Sequence, residues 1–336
     1  DGVDPASIPG DTWGWRTGTS CPRPQRTRQR GAAILVAMLL LAVVATLASS
    51  MIWLQHRAVQ VETAERARAQ IIWILHGAID WARLILRTDA TAETTNLAQA
   101  WATPLEEARL STFLAADGNT GPDGGLDAFL GGAITDAQSR YNLRNLAETD
   151  PTVQAQEVAI LRRLCQWAGC SDDAAGRIAQ GLRQAAGGTD ADAPLMPQRL
   201  DDLTWLGVST ADIERLRPWV SLLPAGGKPI NVNTAPREVL AAVIEAIDLG
   251  GADRLIQARR NGPFKTVDAL REHLPSGTEL PLARLAVKSD FFEVRGRMRL
   301  DDRVIEELAL LERQGREVRT RQRVRVQRVL DSQAVR

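Results

Sequence analysis

Residues 28–57 read RQRGAAILVAMLLLAVVATLASSMIWLQHR, and the architecture turns on whether this stretch is a discarded signal, a plain anchor or a retained helix. From Ala32 to Leu54, about 23 residues carry no charge, enough to cross a hydrocarbon layer at roughly 1.5 Å per residue. A secretory signal that is cut away has a shorter apolar run followed by small residues. Here a basic segment and Gly31 stand directly before the run. Arg23, Arg26, Arg28 and Arg30 bias the N-terminus to the cytoplasm and send everything beyond about Trp53 across the membrane.

Helical character does not stop at Leu54. No Gly or Pro occurs between Ala32 and His76, and Ala64, Ile71, Leu75, Ala78, Ala82 and Leu86 recur on one face. The pattern predicts a single helix from Ala32 to about Thr88, with a bare apolar first half and an amphipathic second half packed on a folded domain.

A short basic leader ending in glycine, followed at once by such a helix, resembles the class III signal of type IV pilins and pseudopilins. The resemblance implies that a prepilin peptidase cuts after Gly31 and leaves Ala32 as the new N-terminus. Most members of that superfamily carry Glu at the fifth mature position, where it neutralises the terminal amine of a neighbour. This chain has Val36 there, which fits the end of a filament better than its repeated body. The plain alternative is an uncleaved single-pass anchor.

The remaining composition bounds the chemistry. Lys plus Arg and Asp plus Glu both total 41 in 336 residues, so bulk charge recruits neither nucleic acid nor an acidic surface. His56, His76 and His273 are scattered, and no Cys or His cluster has metal-ligand spacing. No nucleophile elbow, phosphate loop, dinucleotide fingerprint or paired-carboxylate pattern is present, which argues against an enzyme. Cys165 and Cys170 form a candidate disulfide if the chain breaks near Gly169, since on one unbroken helix the two side chains diverge.

Residues 101–110 read as a polar connection, and DGNTGPDGG from Asp117 as a loop. Its Asp117, Asn119 and Asp123 lack the acid that an EF-hand needs at Ala128. GLDAFLGGAITDAQSRYNLRNL reads as two extended runs turned at Gly131 and Gly132. Two helices follow between Glu157 and Ala186, then two short ones split at Gly207 with Ser209 or Thr210 as a cap.

PINVNTAPREVLAAVIEAIDLGGADRLIQARRNGPFKTVDALREHL resembles a helix-hairpin-helix module, with Thr234 and Thr266 as expected caps and a middle helix from Ala252. A phosphate site there would draw on Arg254, Arg259, Arg260 and Lys265, but Asp248 stands beside the paired glycines. Beyond Pro281, three strand-length runs form a meander, the last carrying Arg319, Arg321, Arg323 and Arg325 on alternate positions. That row reads as a solvated face or charged edge, with an acidic partner as the rival.

Together GAAILVAMLLLAVV, DAQSRYNLRNLA, RLDDLTWLGV and PINVNTAPREVLAAV resemble the K-type minor pseudopilins of bacterial type II secretion, in order from Gly31 to about Arg328. The resemblance implies an α+β fold: a pilin-like long N-terminal helix packed on an antiparallel sheet, with a large all-helical insertion of SAM-like or helix-hairpin-helix-like type. The expected division is leader 1–31, long helix 32–88 with the span at 32–54, first α+β part 89–148, insertion 149–285 and closing strands 286–330. It implies a subunit of the inner membrane and periplasm that helps initiate and cap the pseudopilus tip. Its implied partners are the I and J minor pseudopilins, H as a further candidate, prepilin peptidase, the inner-membrane secretion platform and secreted proteins. No cofactor is expected. Family members bind calcium through an Asp-rich loop, whereas Asp190 and Asp192 are the only acids in the corresponding stretch here. Residues 1 to about 20 exceed the usual leader and carry no function in this reading. The rival is a membrane-tethered helix-hairpin-helix protein that binds or takes up DNA.

Overall fold

A computed structural model describes residues 30–109, 128–187, 194–300 and 303–329, and the chain divides into compact units at residues 1–66 and 67–336. The first helix, α1, spans Arg30–Thr88 as one element of 59 residues, matching the bounds expected from its periodicity. Within the first unit its apolar side chains, Ile34 through Leu54, have no protein neighbours to bury them. The hydroxyls of Thr46 and Ser50 donate to the carbonyls of Val43 and Leu47, so the few polar groups of the run are satisfied by their own helix. Arg57 lies 5.6 Å from the Trp53 ring, a cation–aromatic pair at the end of the apolar run.

In the second unit the helical residues bury Ile71, Leu75, Ile79, Ala82 and Leu86. Ile79 takes the place expected of Ala78, and Ala64 is exposed, so the buried face begins later than the periodicity suggested. This ridge packs on an antiparallel sheet of β1 (Leu105–Arg109), β2 (Ala128–Asp136), β7 (Phe291–Leu300), β8 (Arg303–Gln314) and β9 (Glu317–Val329), in the order β1-β2-β7-β8-β9. Each buried Leu or Ile of the ridge contributes roughly 1.5–3 kcal/mol.

Two sequence expectations fail here for one reason. Residues 101–110 are not a polar connection: Trp101 is buried edge-to-face on Phe292 at 5.4 Å, and Leu105–Arg109 pairs with β2. Nor do Gly131 and Gly132 turn a hairpin, since β2 runs straight through them. They serve close approach: a Cβ on Gly132 would stand 2.8 Å from the Arg295 carbonyl oxygen, and one on its register partner Gly296 would stand 3.2 Å from the Leu75 side chain of α1. The 117–125 loop lies outside the described residues.

Between β2 and β7 the chain builds the helical insertion on its own core, which includes Tyr141, Leu161, Leu164, Ile178, Leu216, Leu240 and Leu255. In chain order it contains β3 (Tyr141–Asn142), α2 (Pro151–Ala168), α3 (Ala174–Ala186), α4 (Thr210–Leu216), β4 (Val220–Ser221), β5 (Ile230–Asn231), α5 (Arg237–Val243), α6 (Leu249–Asn261) and β6 (Leu285–Ala286). The short strands pair parallel, β3 with β4 and β5 with β6. Asp150 caps α2, accepting from the amides of Thr152 and Val153. Gly207, in the left-handed region at φ 76°, ends the 3-10 turn Leu200–Leu206, and Ser209 caps α4.

Thr234 and Thr266 are not caps. Pro236 precedes α5 with no side-chain cap, Asp248 starts the next helix at Leu249 rather than Ala252, and Val267 precedes a 3-10 turn at Asp268–His273. The Thr234 hydroxyl is consumed by a residue distant in sequence, described below.

The arginine row of β9 is split. An extra residue near Arg321 shifts the register against Leu310 and Leu311, so the arginines do not share one face. Arg321 pairs with Glu312, Arg319 with Glu317, and Arg323 and Arg325 both reach the buried Glu307 at 3.0 Å, where His76 of α1 also approaches at 3.7 Å.

Candidate assembly surface

Among the described residues, two stretches of α1 expose apolar side chains, and a buried polar joint ties the helical insertion to the sheet. The first is the apolar run of α1 in the first unit. Gly31 and Ala32 lie in the first turns of that helix, and Val36 is 55% exposed, an apolar side chain where a carboxylate would have made a charge. Such a run suits either lipid or the equivalent helices of other subunits.

The second lies on the outer side of α1 in the other unit. Trp73, Trp81 and Leu84 fall opposite the buried ridge, with Trp73 73% and Trp81 54% exposed. Gly77 sits between the two indoles, and a Cβ there would meet nothing within 4 Å, so the stripe has a flat gap at its centre. Trp81 also borders an apolar groove lined by Ile85, Trp101, Leu105 and Gly131. Two exposed indoles one helical turn either side of a glycine form the anchor type that dominates protein interfaces.

Near the C-terminal end of α1, where Arg313 donates to the Leu86 carbonyl at 3.4 Å, a buried polar joint ties the insertion to the sheet. Asp136, at the end of β2, accepts hydrogen bonds from Ser289 Oγ at 2.6 Å, Thr234 Oγ1 at 2.6 Å, Asn231 Nδ2 at 3.0 Å and the Gln138 amide at 2.8 Å. Burial pushes its carboxyl above the ordinary value, against the four hydrogen bonds, which pull it down. Arg313 of β8 donates to Thr95 Oγ1 and the Ser289 carbonyl, both at 2.9 Å, and lies over the Phe292 ring at 4.7 Å. Its burial lowers the guanidinium's affinity for its proton, offset in part by the Asp136 charge.

The motifs DAQSRYNLRNLA and PINVNTAP thus meet at one place. Asn142 Oδ1 accepts from the Leu223 amide at 3.1 Å, and Asn233 bridges to both backbone groups of Phe264, at 2.8 and 2.9 Å. Tyr141 donates to Glu157 at 2.7 Å, and Glu157 holds Arg284 at 2.5 Å. Burial, with the Glu157 charge second, drives the Tyr141 hydroxyl well above its usual range. Sequence reading missed this joint; its only local signal was polar residues recurring between apolar ones in those two motifs.

The hairpin that the rival DNA-binding reading would need for a phosphate is already filled. Asp248 Oδ1 accepts the Gly251 amide at 2.7 Å, placing a carboxylate where the anion would sit. Arg259 points inward to the carbonyls of Val232 and Ala235, each at 2.7 Å, and burial lowers its pKa to about 10. Among the described residues no group of three His, Cys, Asp or Glu side chains is placed to hold a metal ion, and Asp190 and Asp192 lie outside them. Cys165 is buried and Cys170 half-buried at the end of α2.

Two family models, each described as type II secretion system (T2SS), protein K, match residues 139–225 and 230–288. The type II secretion system protein K of Pseudomonas aeruginosa is 30% identical over 313 residues, covering 83% of this chain and 87% of that protein. The corresponding protein of Pectobacterium carotovorum is 27% identical over 332 residues, covering 89% and 97%. Among solved structures, a chain of the GspK-GspI-GspJ complex from the enterotoxigenic Escherichia coli type 2 secretion system shares the fold with a TM-score of 0.60 at 18% identity, covering 78% of this chain and 98% of that one.

Proposed function

The chain belongs to the type II secretion system protein K family, and from that premise we propose that it works as the minor pseudopilin that starts and caps the pseudopilus tip. Its role is structural. The observation that carries the reading is the pair of unpartnered apolar surfaces: the bare run Ala32–Leu54, and the stripe of Trp73, Trp81 and Leu84. The first would rest in the inner membrane, N-terminus inward, until it packs beside the helices of other subunits. The second would take the helix of an I-type or J-type minor pseudopilin, the partners named for the related complex. Prepilin peptidase would free the amine of Ala32 by cutting after Gly31. With Val36 in place of an acid, no carboxylate of this chain answers a neighbour's terminal amine, which suits a subunit with nothing above it.

Co-expression of the full chain with the I and J pseudopilins of the same secretion system tests the reading. A ternary complex should survive purification in detergent, and the mature chain should begin at Ala32 by mass. Absence of any complex, or a mature chain that retains its arginine leader, would overturn it.

A further inference from the structure

The end of α2 brings two cysteines together by backbone geometry alone. Gly169 adopts the left-handed conformation, φ 65° and ψ 37°, and reverses the chain. The Cys170 amide then bonds the Cys165 carbonyl at 3.0 Å, and the Gly169 amide bonds that of Gln166 at 3.3 Å. These two hydrogen bonds define the glycine-terminated helix end in which the side chains at positions 165 and 170 are the pair that touch. In most proteins that contact is between two hydrophobes. Here both are cysteines: Cys165 is a buried core residue, Cys170 packs against the same core with its thiol 3.9 Å from the Asp212 carbonyl, and both are free in this structure.

We propose that Cys165 and Cys170 are a built disulfide site that locks the turn at Gly169 once the domain reaches an oxidising compartment. The inference rests on the extracytoplasmic placement proposed above. That reading also removes Cys21 with the leader, so the mature chain carries these two cysteines and no odd thiol. The bridged turn would hold more than itself. Arg215 donates to the Gly169 carbonyl at 2.8 Å, and the next residue, Ser171, gives its amide and hydroxyl to Asp212 of α4 at 3.1 and 2.8 Å. Fixing the turn therefore fixes the start of α4 against the end of α2.

The chemistry has a direction. Cys170 is the less buried sulfur; burial raises both thiols, with the Asp212 charge second at Cys170, and takes Cys165 to about 12. The Cys170 thiolate attacks one sulfur of a disulfide carried by a thiol oxidase, forming a mixed disulfide and expelling the oxidase's other sulfur as a thiolate. Cys165 then gives up its proton and attacks the Cys170 sulfur, expelling the second oxidase sulfur. Two electrons and two protons pass to the oxidase, which leaves as a dithiol.

The test uses the purified full chain in detergent, equilibrated in glutathione buffers from reducing to oxidising, quenched by alkylation and read by peptide mass. The expected result is one peptide lighter by two hydrogens, with Cys165 joined to Cys170, appearing before any glutathione adduct accumulates. In Cys165→Ser the remaining Cys170 should instead take a glutathione adduct. A glutathione adduct on Cys170 of the parent with Cys165 free, or two alkylated thiols at every ratio, overturns the proposal. Failure of the compartment reading shows separately: residues beyond the span would resist protease added to spheroplasts, while the titration result stands.

Discussion

Replacing Asp136 with alanine removes the acceptor on which four donors converge, at 2.6, 2.6, 2.8 and 3.0 Å. Each buried donor left without a partner costs about 1–3 kcal/mol. The Thr234 hydroxyl already stands 3.4 Å from the Asn231 carbonyl and can turn to it, so the costs do not simply add. A net loss of about 3–5 kcal/mol is expected, comparable to breaking a buried charged network, against a total stability of roughly 5–15 kcal/mol. Asp136→Asn keeps the Oδ1 acceptor for Gln138 and lets the two hydroxyls accept from its amide, so it should cost about 1–2 kcal/mol.

The pH dependence carries a sign. Burial raises the native carboxyl above 3.8, so the native state binds the proton more readily than the unfolded chain. The stabilisation linked to that proton is complete below 3.8 and is lost as pH rises through the native value. The stability gap between parent and Asp136→Asn should therefore widen as pH falls from neutral toward 3.8. Urea denaturation of the purified chain at several pH values measures both effects. An alanine variant within about 1 kcal/mol of the parent, or a gap that narrows on acidification, would refute the reasoning.

Three further outcomes follow from the same geometry. Trp73→Ala and Trp81→Ala should leave the melting of the isolated chain unchanged, because both side chains are exposed, yet each should weaken binding to the I and J pseudopilins by roughly 30-fold, about 2 kcal/mol, read by calorimetry. Gly169→Ala meets no steric obstacle but must hold φ 65°, so it should lower unfolding stability by about 1–2 kcal/mol with no change in partner affinity. Asp248→Ala loses the cap on Gly251 and about 1 kcal/mol by thermal melting, and should confer no salt-sensitive DNA binding, since Arg259 stays committed to the backbone.

Elements governed by local periodicity were legible. The unbroken run to Thr88, the glycine stops at Gly169 and Gly207, the Ser209 cap and the three closing strands all follow from neighbours within a few residues. Glycine itself was ambiguous: Gly131 and Gly132 carry the signature of a turn and of a close approach, and only the third dimension chooses between them. Thr234 was misread for a related reason. Its best local use is a cap, but Asp136, 98 residues away, offers a shorter and buried hydrogen bond. Ser289 reaches the same carboxylate across 153 residues. No window along the chain contains both ends of such a bond, so the joint could be seen only once folded. Trp101 was lost in a polar stretch because one aromatic among alanines and glutamates leaves no period to read.

The arginine ladder of β9 has a consequence for the open edge of the sheet. Its positive charges are already answered within the molecule by Glu307, Glu312 and Glu317. A foreign strand arriving alongside would have to displace those pairs and desolvate the guanidinium groups before gaining a single backbone bond. Edge-to-edge pairing of this sheet with another is thereby disfavoured.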